Sequence, residues 1–369
     1  MTPVVHVRSA QGLYGAERSL LALAAATEAP FEPLVVSLVR PGREDALCAA
    51  ANRLGLRAAR VDAPGRLSPS AVGPLVRLAR GGLLHAHDYK ALAVALAAGA
   101  LARVPVVATF HGDTGHLARV VVYERLARWA ARFTVAVAAT SEPLAVAIRS
   151  AAPRTPVHVI PNGIAVGPMP TAAERIAARG ALRLPADGPV VAFVGRLSRE
   201  KAPEVLLRAM HGTGMQLLVA GEGPLRPVLE AEADREQVRF LGFVPDVGPV
   251  LAAADVLALP SRTEGLPMAV LEAMAAGVPV VASAVGSLPE VLGDGAGVLV
   301  PPGDPDALRQ ALESLSARET RGALASVARR RVESRYSAAA MAGSYRDRLY
   351  QPALDSTRGR ARSPALQPR

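Results

Sequence analysis

Residues 256–290 read VLALPSRTEGLPMAVLEAMAAGVPVVASAVGSLPE. An apolar, strand-like run stops at Ser261, and a turn then carries Glu264, Gly265 and Pro267. A helical stretch bearing Glu272 follows, then a small-residue turn over Ala275–Gly277, a second buried strand over Val278–Val281 and a Gly-containing turn ending at Glu290. Strand, helix and strand in this order make a βαβ unit. A carboxylate in the loop and another on the following helix can face one crevice and accept hydrogen bonds from sugar hydroxyls. Spacing alone does not decide this, because Glu pairs on helices are usually solvated.

The same alternation runs outward in both directions. Strand-like runs VVHV near 4, LVVSLV near 34, LLHA near 83, VPVVATF near 104, FTVAVA near 133 and VHVI near 157 are separated by Ala- and Leu-rich segments of helical length. That pattern predicts βαβ units and a parallel sheet. A second series opens at Val190–Val194 and continues through MQLLVAG, VRFLGF, DVLALP, VPVVAS and GVLVP. Between the two series, Pro161–Pro170 (PNGIAVGPMP) has no periodicity and reads as a linker. The expected division is a first Rossmann-like domain over 1–165 and a second over 166–334. Residues 319–350 read as one or two helices. From Pro352 on, with Arg358, Arg360, Arg362 and Arg369, the chain reads as a disordered basic tail.

A chain of 369 residues exceeds one ordinary core and suits two domains. Half its residues are hydrophobic and a fifth charged, which marks a globular protein, and 4% aromatics leave the core to Ala, Val and Leu. The single Cys48 excludes an internal disulfide framework and suits a reducing cytoplasm. MTPVVHVRSA lacks the charged and apolar regions of a secretory signal. The apolar stretch Ala273–Pro289 is broken by Gly277, Pro279 and Gly286 and is shorter than the roughly 20 residues a bilayer needs. A cytoplasmic protein is expected. Its net charge of +10 suits nucleotide diphosphates, lipid phosphates or the inner face of an acidic membrane. Nucleic acid is not expected, because no basic cluster is interleaved with aromatics.

Several places carry chemistry. Val191–Lys201, VAFVGRLSREK, is a buried strand ending at Gly195, then Arg196, with a helix opening near Lys201. Such a turn aims backbone N–H groups and the positive end of a helix at an anion. Arg196 would add a bidentate fork for phosphate oxygens and Lys201 a point charge. An isolated Arg and Lys are more often solvated, but Lys201 is one of only two lysines, with Lys90. Gly221-Glu222-Gly223-Pro224 evokes a dinucleotide fingerprint, yet Arg226 occupies the place of the third glycine, so hydride transfer is not indicated. The two glycines can simply permit a tight backbone.

Ser9–Arg18, SAQGLYGAER, is a loop after the first strand, and His111-Gly112 ends the strand PVVATF. Pro161-Asn162-Gly163 tolerates left-handed backbone and reads as a turn. His85 and His87 in HAHD point the same way on a strand, like the metal-binding HxH of amidohydrolase barrels, and His111, Asp113, His116 and His158 could complete a set. A metal-dependent hydrolase using His85 and His87 is therefore a competing possibility, although two strand series divided by a linker do not suit an eightfold barrel. Residues 116–133 form a helical pattern with Arg119, Arg125, Arg128 and Arg132 among Val, Leu, Trp and Phe. It can dock on an anionic bilayer, or pack on the sheet as an ordinary amphipathic helix.

The 256–290 run, the G-R-L-x-x-x-K element at Gly195–Lys201, Gly15-Ala16-Glu17-Arg18 and the T-x-H-G element ending in Gly112 together resemble family 4 of the retaining glycosyltransferases. The resemblance covers about residues 1–350 and is strongest over 156–303. It implies an α/β GT-B fold, with two Rossmann-like domains whose parallel sheets face an interdomain cleft, and a helix at 335–351 crossing back to the first domain. It implies transfer of a sugar from a UDP- or GDP-sugar to a glycan or lipid-linked acceptor, in bacterial polysaccharide or lipopolysaccharide assembly. An epimerase of the same fold is the alternative. By resemblance Arg196, Lys201, Glu264 and His111 are catalytic. Gly15, Gly195, Gly221, Gly223, Gly265 and Leu266 bind the donor, with Glu272 on its ribose, while Tyr14, Glu17 and His87 lie on the acceptor side. Tyr14 replaces the first glycine of the family pattern G-G-A-E-R and should reshape the acceptor entrance. No acidic DxD-type pair follows a strand, so Arg196 and Lys201 are expected to replace a metal ion, and no cofactor is expected.

Overall fold

A computed structural model describes residues 1–9, 12–65, 68–112, 118–185 and 187–362, with the backbone alone at 118–121 and 358–362. The chain divides into two compact units, Met1–Ala165 with Ala338–Arg369, and Val166–Ser337.

In the first unit the order is β1 (Thr2–Arg8), α1 (Gly15–Ala25), β2 (Phe31–Val39), α2 (Ala46–Arg53), β3 (Arg57–Asp62), α3 (Val72–Leu78), β4 (Leu83–Ala86), α4 (Tyr89–Ala102), β5 (Val106–Phe110), α5 (Ala118–Ala130), β6 (Ala136–Ala139), α6 (Glu142–Ala151) and β7 (Val157–Val159). The strands make one parallel sheet in the order β3-β2-β1-β4-β5-β6-β7. In the second unit come α7 (Ala172–Ala181), β8 (Val190–Val194), α8 (Pro203–Met210), β9 (Gln216–Ala220), α9 (Arg226–Glu232), β10 (Val238–Gly242), α10 (Gly248–Ala253), β11 (Val256–Leu259), α11 (Met268–Ala275), β12 (Val280–Ser283), α12 (Leu288–Leu292), β13 (Val298–Val300), α13 (Pro305–Ser314) and α14 (Arg318–Arg335). This sheet is also parallel, in the order β10-β9-β8-β11-β12-β13.

Helices on both faces explain why β4, β6, β11 and β12 are buried along their whole length and read as unbroken apolar runs. Short polar residues start several helices: Asp45 accepts from the Cys48 N–H at 3.0 Å, Asp88 accepts from the Ala91 N–H at 2.8 Å, and Thr171 with Glu174 forms a capping box on α7. In each sheet the strand order reverses once, between β1 and β4 and between β8 and β11. Such a reversal leaves a crevice beyond the carboxyl ends of the two neighbouring strands, because their connections run to opposite faces. Those two places are where a site should be sought.

After Ser337 the chain rejoins the first unit as α15 (Ala338–Tyr345), a π-helical turn over Arg346–Tyr350 and α16 (Gln351–Arg362). Met341, Tyr345, Leu349, Tyr350 and Ala353 pack with Val4, Leu23, Phe31, Leu83, Val107 and Ile160 in one buried cluster. The tail expected to be disordered from Pro352 is instead helical as far as Arg362. Burial of Tyr350 and Ala353 anchors its start, which continues directly from the π-helical turn, the Gln351 N–H donating to Arg346 O. Residues 363–369 and the side chains of Arg358, Arg360 and Arg362 lie outside the described residues. Among the described residues no helix is long and apolar enough to cross a membrane.

Tyr350 is 1% exposed, and its hydroxyl lies 3.0 Å from His85 Nδ1. Tyr350→Ala is expected to destabilise the first unit by about 3–5 kcal/mol, as for other buried aromatics. Tyr350→Phe removes only the hydrogen bond and should cost about 1 kcal/mol. Urea unfolding of the two variants against the parent checks both values.

Candidate functional site

In the second unit two loops flank the reversal point, one after β8 and one after β11. Lys201 on the first sends its ammonium to both carboxylate oxygens of Glu264 on the second, at 2.6 and 2.7 Å. Ser261 Oγ donates to the same carboxylate at 2.6 Å. The Glu264 side chain is 5% exposed and that of Lys201 22%, so the pair is largely shielded from water. Removing one partner of a buried pair strands the other charge and costs about 3–5 kcal/mol at full burial, somewhat less here. Arg262 adds further ties: its N–H donates to Glu200 O at 2.7 Å and its guanidinium to Arg199 O at 3.1 Å and Glu204 Oε1 at 2.6 Å. Arg196, on the same β8 loop, is exposed and has no ion pair among the described residues. The arrangement therefore holds one cation fixed and leaves a second free for an anion.

Gly195 ends the strand, its N–H donating to Ala220 O at 3.0 Å. Behind it lies the Gly221–Gly223 turn. A Cβ on Gly221 would stand 1.9 Å from Gly195 O, and one on Gly223 would stand 2.2 Å from Leu197 O. Leu197 N–H also donates to Glu222 O at 2.9 Å. The two glycines thus let one backbone lie directly on another and set where Gly195 and Arg196 stand. Gly265 is exposed, Leu266 buried, and Glu272 half-buried on α11, the helix that this loop opens. Ser261 and Arg262 were not singled out in the sequence; their roles appear only once β8 and β11 lie side by side.

In the first unit Arg8 spans the corresponding reversal between β1 and β4. Its Nε donates to Glu17 Oε1 at 2.9 Å, its Nη1 donates to His87 O at 2.5 Å, and Nε lies 3.9 Å from Asp88 Oδ2. Ser9 N–H donates to Asp88 Oδ2 at 2.6 Å, tying the β1 loop to the start of α4. The second oxygen of Glu17 accepts from the Tyr14 N–H at 3.1 Å. Glu17 is thus engaged on both oxygens at the start of α1, whose first residue is Gly15, while the Tyr14 ring is 65% exposed. Arg8 was missed from sequence because it sits at the end of an apolar strand.

Four histidines gather beside this point. His6 and His85 are register partners on β1 and β4. His6 Nδ1 lies 3.1 Å from His87 Nε2, and His87 Nδ1 lies 3.2 Å from His111 Nε2. His85 contacts the Tyr350 hydroxyl and, at 2.7 Å, Thr109 Oγ1. Burial pushes His6 down to about 3. His111 also falls to about 3, through burial and nearby Arg8, with Asn162 partly offsetting them. Burial with the neighbouring imidazoles holds His85 and His87 well below the usual histidine range. His6, His85 and His87 bring ring nitrogens within 4.8 Å of one another, a spacing able to hold a metal ion, although both nitrogens of His85 face hydroxyls. His158 stands apart on β7, and Asp113 and His116 lie outside the described residues. The two open sheets leave no barrel for an amidohydrolase site.

Two family profiles match the chain, "Glycosyltransferase Family 4" over residues 14–167 and "Glycosyl transferases group 1" over residues 188–318. The chain is 35% identical over 246 residues to a phosphatidyl-myo-inositol mannosyltransferase of Mycobacterium leprae, covering 63% of each. It is 35% identical over 285 residues to a D-inositol 3-phosphate glycosyltransferase of Saccharomonospora viridis, covering 71% of this chain and 65% of the relative. The match thus spans a little under two thirds of these relatives' length. Among solved structures, HepE from Anabaena in complex with UDP and glucose superposes with a TM-score of 0.81 at 23% identity, over 95% of this chain and 99% of that one. The lipopolysaccharide outer core galactosyltransferase WaaB gives 0.64 at 17% identity, over 96% and 99%. At these identities the likeness shows the fold, which is GT-B.

The lowered histidines give the first unit a definite pH dependence. Between the ordinary value of 6.5 and about 3, the unfolded chain binds protons at His6 and His111 that the folded chain does not. Stability is then flat with respect to these groups above 6.5 and falls as pH drops below it, by about 1.4 kcal/mol per pH unit for each histidine. Urea midpoints taken on either side of pH 6.5 check the sign.

Proposed function

We propose that this chain, which belongs to glycosyltransferase family 4 and has the GT-B fold, transfers a sugar from a UDP- or GDP-sugar to a glycan or lipid-linked acceptor with retention of anomeric configuration. The mainstay is the Lys201–Glu264 pair at the reversal point of the second unit, beside an unpaired Arg196. There the donor diphosphate meets Arg196, the Lys201 ammonium and the backbone at Gly195. Glu272 accepts from the ribose hydroxyls, and Glu264 with the backbone of Gly265 and Leu266 accepts from and donates to the sugar. As the nucleoside diphosphate departs it gains negative charge, which the two cations stabilise in place of a metal ion. No carboxylate is assigned as nucleophile. The acceptor oxygen bonds to the anomeric carbon on the face the diphosphate leaves, and the acceptor proton passes to the departing phosphate oxygen. UDP-glucose bound to HepE, a protein of the same fold, supports a nucleotide-sugar donor. We assign the acceptor to the first unit, with His111 at the end of β5 and His87 beneath it. The exposed Tyr14 ring meets the acceptor there, and Glu17 fixes the backbone that carries it. Bacterial polysaccharide or lipopolysaccharide assembly, on the cytoplasmic face of a membrane, is the setting that suits these partners.

Peripheral membrane contact rests on a separate observation. Val122, Leu126 and Trp129 of α5, and Phe133 just beyond it, are all exposed at helical spacing, while Ala127 and Ala131 face inward. Arg125 is exposed on the same helix, and the Arg132 guanidinium lies 4.6 Å from the centre of the Trp129 ring. A large apolar stripe with arginines at its edge suits an anionic bilayer. Flotation with phosphatidylglycerol vesicles should recover the parent chain, phosphatidylcholine vesicles should recover much less, and Trp129→Ser with Phe133→Ser should abolish the difference. Equal recovery on both lipids would remove membrane contact from the proposal.

Kinetics in the presence of EDTA separate the roles in the donor site. Lys201→Ala is expected to lower kcat on the order of 10²-fold with a much smaller change in donor KM, because its charge matters most as the diphosphate leaves. It also strands Glu264, so Lys201→Ala with Glu264→Gln is the control and should stay slow. Glu272→Ala should instead raise donor KM, since ribose contacts persist from ground state to transition state. Normal kcat in Lys201→Ala, or unaltered donor affinity in Glu272→Ala, would move the nucleotide site elsewhere.

A further inference from the structure

His111, His87 and His6 stand in single file, joined by the 3.2 Å contact from His111 Nε2 to His87 Nδ1 and the 3.1 Å contact from His87 Nε2 to His6 Nδ1. Two ring nitrogens are left over, His111 Nδ1 and His6 Nε2. Both are buried and, among the described residues, without a hydrogen-bond partner. These two orphans are the two ends of the file. Burial and neighbouring charges keep all three rings uncharged near neutrality. An uncharged imidazole has one N–H and one lone pair. Each of the two contacts therefore needs an N–H on one side and a lone pair on the other. Only two arrangements satisfy both: every ring protonated on Nδ1, or every ring protonated on Nε2. Any mixture sets two lone pairs, or two N–H groups, against each other. His85 stands outside the file, with both nitrogens taken by Tyr350 and Thr109.

With Nε2 facing His87 and Nδ1 buried, the His111 ring has no nitrogen to offer a substrate, and what it presents at the end of β5 is the main chain of His111 and Gly112. We propose that His6 and His87 are positioning residues for sugar transfer: in file with His111, they decide which nitrogen of each ring carries the proton and so pin the His111–Gly112 turn. This rests on the transfer activity proposed above. His6, deep in the centre of the sheet, then acts on the site through two intervening rings.

The direct test uses the full chain labelled with ¹⁵N in its histidines, where two-bond proton–nitrogen correlation distinguishes Nδ1–H, Nε2–H and charged rings. His6, His87 and His111 should share one tautomer near neutral pH, unchanged by zinc or by EDTA. A mixed set, a charged ring, or a stoichiometric zinc-induced change at His6, His85 and His87 overturns the file. The kinetic test compares His6→Leu with His6→Asn, because the Asn Nδ2–H stands where the imidazole Nδ1–H would donate. His6→Leu should lower kcat by about tenfold, as loss of an orienting partner commonly does, with donor KM unchanged and the His111 tautomer no longer single. His6→Asn should recover most of that loss. Equal losses in both variants make the role merely structural and overturn the positioning claim. Absence of transfer by the parent refutes the transfer activity, and with it the catalytic half of the proposal, whereas a mixed tautomer set refutes the file whatever the activity.

Discussion

The ion pair between Lys201 and Glu264 joins two loops 63 residues apart in sequence, across the one place in the second sheet where neighbouring strands send their connections to opposite faces. A carboxylate as shielded as that of Glu264 is tolerable only with its cation and the Ser261 hydroxyl in place. Those partners in turn demand that the β8 and β11 loops stay together, and Arg262 and the Gly221–Gly223 turn hold the β8 loop from either side. Arg8 has the same duty in the first sheet, reaching from the end of β1 to Glu17 and to the main chain beyond β4. Each unit thus closes its reversal point with a basic side chain that is already spoken for, and the unpaired Arg196 stands out against that background.

The strand–helix alternation of both units was legible because buried parallel strands are unbroken apolar runs, as in VLALP and VPVVAS. Strand ends moved by a residue or two: the run at Val278–Val281 became β12 at Val280–Ser283, since Pro279 cannot donate to the ladder. What local pattern could not show was which loops become neighbours. Lys201 and Glu264 were each conspicuous alone, yet their pairing depends on β8 lying beside β11. His6 was invisible for the same reason. VVHV reads as plain core, and the imidazole acquires meaning only in register with His85 on β4. The helix over Gln351–Arg362 was hidden differently, because its basic, Pro-containing sequence carries little pattern of its own and it is anchored by Tyr350 and Ala353.

Scarcity of aromatic residues sharpens the meaning of where they lie. A core of Ala, Val and Leu packs tightly with few rings, so Tyr345 and Tyr350 do double duty: they fill the space between strands and α15 and supply hydroxyls to Thr109 and His85. The only Trp of the chain is not spent inside at all. Trp129 stacks edge-on with Phe133 at the surface, with an arginine over its face. A ring of that size left in water, in a chain so short of rings, is consistent with a use outside the core.

The first unit is interrupted in sequence: Met1–Ala165 must wait for the segment that begins at Ala338. On a translating ribosome the second unit, Val166–Ser337, is complete before Tyr345 and Tyr350 have been made. The later-numbered unit can therefore fold first, while the apolar face formed by Val4, Phe31, Leu83 and Val107 is still uncovered. A nascent chain in that condition has every reason to recruit a chaperone or to pair wrongly with a neighbour. Order of synthesis thus acts as a checkpoint: a polypeptide cut between residues 337 and 345 would display one finished unit attached to one that cannot close.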